Sequence, residues 1–180
     1  MAGEWWADEL KPELSQGDVV ASLPFWVPLN DLQCVEKKAL PAPRPPAWLE
    51  TKGLVPDAQG FFYFIARGRI APGIILSHDC ELDKARRNRR VQVALLADPE
   101  KLSSEERQAV LGQGKWAHLV LPSIPELGTF YADLLIQVTL DRKVIDGRKR
   151  IASMSDLGAE RLRAQIVAYF TRLEEDNDLP

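Results

Sequence analysis

Hydrophobic residues along the chain group into short runs that are bounded by turn residues or alternate with polar ones. Such runs are typical of β-strands, in which successive side chains point to opposite faces. Some of the runs are almost wholly apolar, which indicates strands buried on both faces. The predicted strands are 19–26, 61–66, 73–77, 91–97, 116–121 and 130–140.

Two segments carry helix signals instead. Ser103 or Ser104 is a suitable N-cap for a short helix that ends near Gly112. Ser155 or Asp156 likewise caps a C-terminal helix with a 3.6-residue apolar period. Its apolar positions are Leu157, Leu162, Ile166, Tyr169, Phe170 and Leu173. Short strands followed by one amphipathic helix predict a mainly β fold with some α, a small β-barrel with this helix packed on it.

The segment 27–60 breaks this pattern with six prolines. Proline interrupts both the helical and the strand hydrogen-bond ladder, so this segment is predicted to be a long proline-rich insertion or loop. The whole chain, 1–180, is predicted to form a single domain around it, because this length suffices to bury one core. Asp146-Gly147 is predicted to be a hairpin turn.

Composition narrows the class of protein. The formal net charge of −3 argues against a protein that binds nucleic acid over its whole surface, although a local basic patch can still do so. Two cysteines do not make a disulfide framework, and the acidic N-terminus lacks the order of a signal peptide. No apolar run reaches the ~18 residues of a membrane helix. We therefore expect a cytoplasmic protein without membrane association.

Reactive side chains are concentrated in the segment 77–81 (Ser-His-Asp-Cys-Glu), at the end of a predicted strand. The segment holds one of two histidines and one of two cysteines in the chain. A strand that presents such a cluster at its C-terminal end is typical of a functional site. The alternative is that these side chains only turn the chain and fill small polar gaps.

Three residues of this segment are the candidate catalytic groups. His78 is the best general base, because an imidazole changes protonation near neutral pH. Asp79 is beside it and can hold the ring. Alternation along a strand would place Cys80 on the opposite face from Asp79, so at most one of the two shares a groove with the substrate. We expect His78 and Asp79 to lie near the surface and Cys80 to be at least partly buried.

A basic run, 84–90 (Lys-Ala-Arg-Arg-Asn-Arg-Arg), follows directly and carries five positive charges in seven residues. Cations at this density raise the local affinity for phosphate even on a net-acidic protein. The alternative is a solvated hairpin tip. The predicted nucleic-acid-binding residues are Arg86, Arg87, Arg89 and Arg90.

Two other chemistries compete with RNA binding as interpretations of the sequence. Cys34, His78, Cys80 and His118 are all the cysteines and histidines, a set that zinc uses, but they do not form two close pairs, so no metal site is predicted. Cys80 with a histidine base would meet the roles of a thiol enzyme, although a single cysteine is more often a small apolar core residue. Phosphate-loop and dinucleotide motifs are absent, and no cofactor is predicted.

The order of several short motifs carries a family resemblance. These motifs are 17–20 (Gly-Asp-Val-Val), 72–79 (Pro-Gly-Ile-Ile-Leu-Ser-His-Asp), 91–94 (Val-Gln-Val-Ala), 132–134 (Ala-Asp-Leu) and 157–158 (Leu-Gly). Outside 27–60 this pattern resembles the MazF/PemK family of toxin ribonucleases. The resemblance implies a small SH3-like, PemK-type β-barrel that cleaves RNA without a metal ion. It also implies a protein antitoxin as partner and a homodimer. The segment 76–81 is also similar to a Leu-Ser-x-Asp-Cys-Asp/Glu signature of other bacterial proteins, which implies no function.

Two departures from the family pattern concern its chemistry. The family has an arginine directly before the strand-opening proline, where this chain has Ala71, with Arg69 upstream. The family also ends its Val-x-Val-Ala strand with Thr-Ser, where this chain has Ala97-Asp98. Any catalysis must therefore use Arg69 or Arg87 to hold the phosphate, with His78, Asp79 or Cys80 as the reacting groups.

The predicted function is a MazF/PemK-like RNA-binding protein whose metal-independent endoribonuclease site is degenerate. Whether it cleaves RNA is left open, because fold alone does not determine activity. One alternative is a non-catalytic module that binds protein or nucleic acid. The other is a thiol- or histidine-dependent enzyme that uses the segment 77–81.

Overall fold

The computed structural model describes residues 4–27, 33–35, 63–65, 67–83, 90–112 and 117–171, with side chains omitted at 27, 33–35, 63–65 and 67. The described chain is mainly β and ends in a helix. Its strands are β1 Val19–Val27, β2 Gln33–Val35, β3 Tyr63–Ile65, β4 Arg67–Ile75, β5 Arg90–Ala97, β6 His118–Ile124, β7 Gly128–Asp141 and β8 Arg150–Ala152. Its α-helices are α1 Asp79–Leu82, α2 Ser104–Leu111, α3 Arg142–Asp146 and α4 Asp156–Thr171, with a 3₁₀ turn at Pro99–Lys101.

Two compact units divide the chain. One contains Met1–Phe25 and Ile70–Pro180, and the other contains Trp26–Arg69. Within the second unit, β2 and β3 pair in antiparallel orientation. Most of the proline-rich segment 27–60 lies outside the described residues.

Six strands form an open antiparallel sheet in the order β6-β7-β5-β4-β1-β8. The predicted strand 91–97 corresponds to β5, which pairs with β4 on one side and β7 on the other. β6 runs past Pro122 to Ile124, whereas the prediction ended this strand at Pro122. β6 is an outer strand, and an outer strand tolerates a proline because one of its edges needs no ladder hydrogen bonds.

Apolar side chains cover both faces of this sheet. These side chains form two apolar clusters, and alternate residues of β5 belong to different clusters. Val93 and Leu95 belong to the first, and Ala94 and Leu96 belong to the second. The first cluster also contains Leu14, Val20, Ile75, Leu82, Leu140 and Ile145. The second contains Val19, Ile74, Leu76, Leu121, Leu134 and Leu162. The prediction of an interior strand at 91–97 is therefore confirmed.

The helix α2 begins as its sequence predicts. The Ser103 hydroxyl accepts the Glu106 N–H, and the Glu106 carboxylate accepts the Ser103 N–H, which together form a capping box. The predicted hairpin turn at Asp146-Gly147 is wrong, because the short helix α3 lies there. The Asp141 carboxylate caps α3 by accepting the Lys143 N–H at 2.9 Å, and Gly147 ends the helix.

The helix α4 packs on the sheet through part of its predicted face. Leu162 is fully buried and Ile166 packs against the same cluster. Phe170 is 63% exposed, so the prediction that it packs on the core is wrong. At the roughly 100° per residue of an α-helix, Phe170 lies about 80° around the axis from Leu162. Leu173, the last predicted packing position, lies outside the described residues.

Candidate functional site

The segment 77–81 leaves the sheet where β4 ends and β5 begins. The Leu76 N–H donates to the Gln92 carbonyl oxygen at 2.9 Å, and the Gln92 N–H donates to the Ser77 hydroxyl at 2.8 Å. These bonds continue the β4–β5 pairing past the last residue of β4. The exposed side chains of His78 and Arg90 therefore both lie at this end of the sheet.

After Ser77 the chain coils into the short helix α1 and does not continue as a strand. His78 is the N-cap, and its carbonyl oxygen accepts the Glu81 N–H at 2.9 Å. Strand alternation consequently does not apply to Cys80, which is exposed. The expectation that Cys80 is at least partly buried is therefore wrong. His78 is exposed as expected, and Asp79 is half-buried.

The His78 ring has a defined hydrogen-bonding role. Its Nδ1 accepts the backbone N–H of Cys80 at 3.2 Å. A nitrogen that accepts a hydrogen bond carries no proton, so the neutral ring in this arrangement holds its proton on Nε2. The other nitrogen is then a donor. In this conformation the ring is suited to donate to an anion and is not suited to abstract a proton.

Asp79 fastens this segment to the turn before β1. Its Oδ1 accepts the backbone N–H of Gln16 at 2.6 Å. The Gln16 side chain is buried, and its amide N–H donates to the Leu76 carbonyl oxygen at 2.7 Å. The Asp79 carboxylate therefore bonds to the turn before β1. The hydrogen bond to His78 Nδ1, which Asp79 was expected to influence, comes from the Cys80 backbone N–H.

A buried ion pair nearby was missed by sequence reasoning. Asp18 is fully buried, and its Oδ2 accepts the Ser15 N–H at 3.0 Å and an Arg150 guanidinium N–H at 3.0 Å. Arg150 also donates to the carbonyl oxygens of Lys11 at 2.7 Å and Glu13 at 2.8 Å. The Gly-Asp pair at 17–18 is a visible turn signal, but no local pattern connects it with β8.

The predicted cationic residues are only partly described. Arg90 is exposed at the start of β5, opposite Asp141 at the end of β7. Arg86, Arg87 and Arg89 lie outside the described residues. Arg69 is exposed within β4 and belongs to the second compact unit, so its convergence with His78 stays a prediction.

A second basic segment, 142–150, was also missed by sequence reasoning. It comprises α3 and the start of β8, and it carries five cations in nine residues: Arg142, Lys143, Arg148, Lys149 and Arg150. Its first residue, Arg142, directly follows Asp141, which pairs with Arg90 in the register of β5 with β7. A count of charge density along the chain could have found this segment.

The second histidine lies elsewhere on the sheet. His118 on β6 is opposite Asp133 on β7, with 3.5 Å between Nε2 and Oδ1, and its ring meets the Tyr131 ring edge-on. Within the described ranges, no three side chains of His, Cys, Asp or Glu are arranged to hold a metal ion. The side chain of Cys34, the remaining cysteine of the chain, lies outside the described side chains. In the parts of the chain that the structure covers, no helix has the length and apolar composition needed to cross a membrane.

No protein-family model matches the chain, and no curated protein matches its sequence. The resemblance to MazF/PemK toxins stays a prediction.

Proposed function

We propose that this protein binds RNA at the end of the sheet where β4 passes into β5, and that it does so without cleaving it. The observation that carries the proposal is the pairing of Leu76 and Ser77 with Gln92, which brings His78 and Arg90 to the same end. The basic run 84–90 ends at Arg90, so its other four cations are within six residues of Arg90 in the sequence. A phosphate backbone lying across this end would meet the imidazole N–H donor of His78 and the guanidinium group of Arg90.

Binding without cleavage is supported by two alanines. Ala71 and Ala97 stand where the MazF/PemK pattern has its phosphate-holding arginine and its threonine. Both pack against the apolar cluster that contains Phe25 and Val93. These positions therefore supply apolar contacts and no reacting group, and the capped His78 ring offers a donor instead of a base.

The resemblance supplies the remaining parts of the proposal. On this proposal the outer strands β6 and β8 belong to a PemK-type barrel, and the protein acts in the cytoplasm with a protein antitoxin, as a homodimer. The net charge of −3 makes RNA binding depend on the local basic surface, so affinity should fall steeply with added salt.

The test is RNA binding as a function of salt. Fluorescein-labelled single-stranded RNA is titrated with the full-length protein, and affinity is measured by fluorescence anisotropy at several salt concentrations. Replacing Arg86, Arg87, Arg89 and Arg90 with Ser should reduce the log–log salt slope by about 0.7 for each lost phosphate contact. No binding by the wild type at protein concentrations up to ~100 μM would overturn the proposal. A gel of the same RNA, with and without chelator, shows whether the wild type cleaves it.

The exposure of Cys80 favours one further candidate, a thiol-dependent enzyme. In that case His78 should raise the reactivity of the Cys80 thiol, and the rate of its alkylation by iodoacetamide should fall in His78→Ala. An unchanged alkylation rate in that variant would remove this candidate.

A further inference from the structure

A small cleft lies beside the RNA-binding end proposed above. Its volume is about 170 Å³, and it opens between the segment 12–14 and the α3–β8 connection. Three arginines line it, Arg142, Arg148 and Arg150, against the two carboxylates of Glu13 and Asp146. We call it the arginine cleft.

Arg150 forms the fixed wall of the arginine cleft. Its Nη1 donates to the Glu13 carbonyl oxygen and to the Asp18 carboxylate, and its Nη2 donates to the carbonyl oxygens of Lys11 and Pro12. Both terminal amino groups are thus engaged with the protein. Arg150 therefore holds the cleft in shape and has little capacity left for a ligand.

Arg142 is held in place but retains donors. Its side chain is only 20% exposed, and its Nε donates to the Asp146 carboxylate at 2.7 Å. Its two terminal amino groups have no hydrogen-bond partner among the residues that the structure describes. A guanidinium fixed through Nε presents the remaining N–H groups in a defined plane, which lowers the entropy cost of binding an anion.

Arg148 is the most exposed member of the three. Its backbone N–H donates to the Ile145 carbonyl oxygen at 2.9 Å, which fixes where its side chain begins. The side chain is exposed, and no described residue pairs with its guanidinium. Since Asp146 is paired with Arg142 and Asp18 with Arg150, the charged groups of the cleft outside these two pairs are the Arg148 guanidinium and the Glu13 carboxylate.

The volume of the cleft restricts what it can hold. It is smaller than the roughly 300–1,000 Å³ of a typical small-molecule site, so it fits a group of a few heavy atoms and not a nucleotide. Planar guanidinium groups match the oxygens of a phosphate in pairs. We infer that the arginine cleft binds a single phosphate group, and that this phosphate belongs to the RNA backbone. The RNA assignment rests on the proposed function. It follows from position, because α3 begins directly after Asp141, the residue that pairs with Arg90 at the RNA-binding end.

The first experiment measures RNA binding by Arg148→Gln and by a control, Arg163→Gln. Arg163 is half-buried on α4, the helix that packs on the other face of the sheet through Leu162. Arg148→Gln should reduce the log–log salt slope by about 0.7, whereas Arg163→Gln should leave it unchanged. Arg148→Lys should restore the slope, because it restores the charge, but only part of the affinity, because lysine lacks the guanidinium fork. Equal slopes for Arg148→Gln and Arg163→Gln would overturn the assignment to RNA.

The second experiment uses inorganic phosphate and needs no RNA. Phosphate is titrated into the full-length protein labelled with ¹⁵N, and the Nε–Hε resonances of arginine are followed by NMR. Saturable shifts at Arg142 and Arg148 that disappear from Arg142 in Arg148→Gln would support a phosphate site in the cleft. Absence of such shifts would overturn the site, even if the protein binds RNA elsewhere.

The two experiments separate the two proposals. If the wild type binds no RNA but shows the phosphate shifts, the proposed function fails and the cleft is a site for free phosphate. If the wild type binds RNA with an unchanged slope in Arg148→Gln and shows no phosphate shifts, the proposed function stands and the inference about the cleft is wrong.

Discussion

At the scale of single residues, His78 has two roles that can be separated. Its Nδ1 caps α1 by accepting the Cys80 N–H, while its other nitrogen lies on an exposed ring. The first role concerns stability, and the second is the one that the proposed function needs. Asparagine caps helices at least as well as other residues, so it can replace the first role without the second.

We therefore predict different effects for two substitutions of His78. His78→Ala should lower the free energy of unfolding by about 0.5–2 kcal/mol through loss of the cap, whereas His78→Asn should preserve stability. Both should weaken RNA binding by roughly tenfold, about the 1.5 kcal/mol of a hydrogen bond to a charged group. Thermal unfolding and fluorescence anisotropy check the two effects. Wild-type RNA affinity in His78→Asn would mean that His78 is only a cap.

At the same scale, the backbone conformation of Gly17 explains why the Gly17-Asp18 motif contains a glycine. Gly17 has a φ of +86°, a conformation that residues with a side chain rarely adopt. A Cβ at this position would also lie 2.8 Å from the Met154 sulfur. The Gly17-Asp18 motif therefore has a structural cause, because it makes the tight turn that brings the Asp18 carboxylate to Arg150.

At the scale of elements, only part of the predicted apolar face of α4 is buried. Its face is apolar over its length, but burial is greatest at Leu162 and is lost at Phe170. The start of the helix is held more closely than its end. The Gly158 N–H donates to the Ser155 hydroxyl at 3.1 Å, and a Cβ on Gly158 would lie 2.4 Å from the Trp5 carbonyl oxygen.

Truncation of the Leu162 and Phe170 side chains should accordingly give unequal losses of stability. Leu162→Ala should lower the free energy of unfolding by about 2–5 kcal/mol, because it removes a fully buried side chain and leaves a cavity. Phe170→Ala should change it by no more than about 0.5 kcal/mol, since most of that ring is in solvent. Chemical denaturation measures both. A large loss in Phe170→Ala would mean that a partner or another part of the chain covers this ring.

At the scale of the whole molecule, Arg150 connects segments that are far apart in the chain. Its guanidinium joins β8 to the carbonyl oxygens of residues 11–13 and to the buried carboxylate of Asp18. These contacts tie the N-terminal segment and the start of β1 to β8. They also form one wall of the arginine cleft.

Arg150→Met should therefore destabilise the entire fold. It leaves the Asp18 carboxylate buried without its cation, so the loss should lie near the lower end of about 3–5 kcal/mol, because the arginine side chain is 23% exposed. Asp18→Asn combined with Arg150→Met should recover part of this loss by removing the uncompensated charge. Arg148→Met, two residues away, is the matched control and should change stability by less than about 0.5 kcal/mol. If Arg150→Met unfolds at the same denaturant concentration as the control, the ion pair does not hold the segments together.

Sequence alone determined the elements whose signals are local. The interior strand 91–97, the capping box at Ser103 and the start of α4 near Ser155 depend on alternation or on residues three apart, and each can be read from a short window. The concentration of reactive side chains after a buried strand was readable for the same reason. These features follow from backbone geometry and side-chain chemistry within a few residues.

Tertiary structure alone decided which of the reactive side chains in the segment 77–81 are exposed and which are bonded to the rest of the protein. The coil at His78, the exposure of Cys80 and the attachment of Asp79 to Gln16 depend on how β4 meets the turn before β1. The pairing of Asp18 with Arg150 joins residues 132 positions apart, and the arginine cleft forms only where α3 and β8 meet the N-terminal segment. No short window contains such partners, because their proximity results from the packing of the whole sheet.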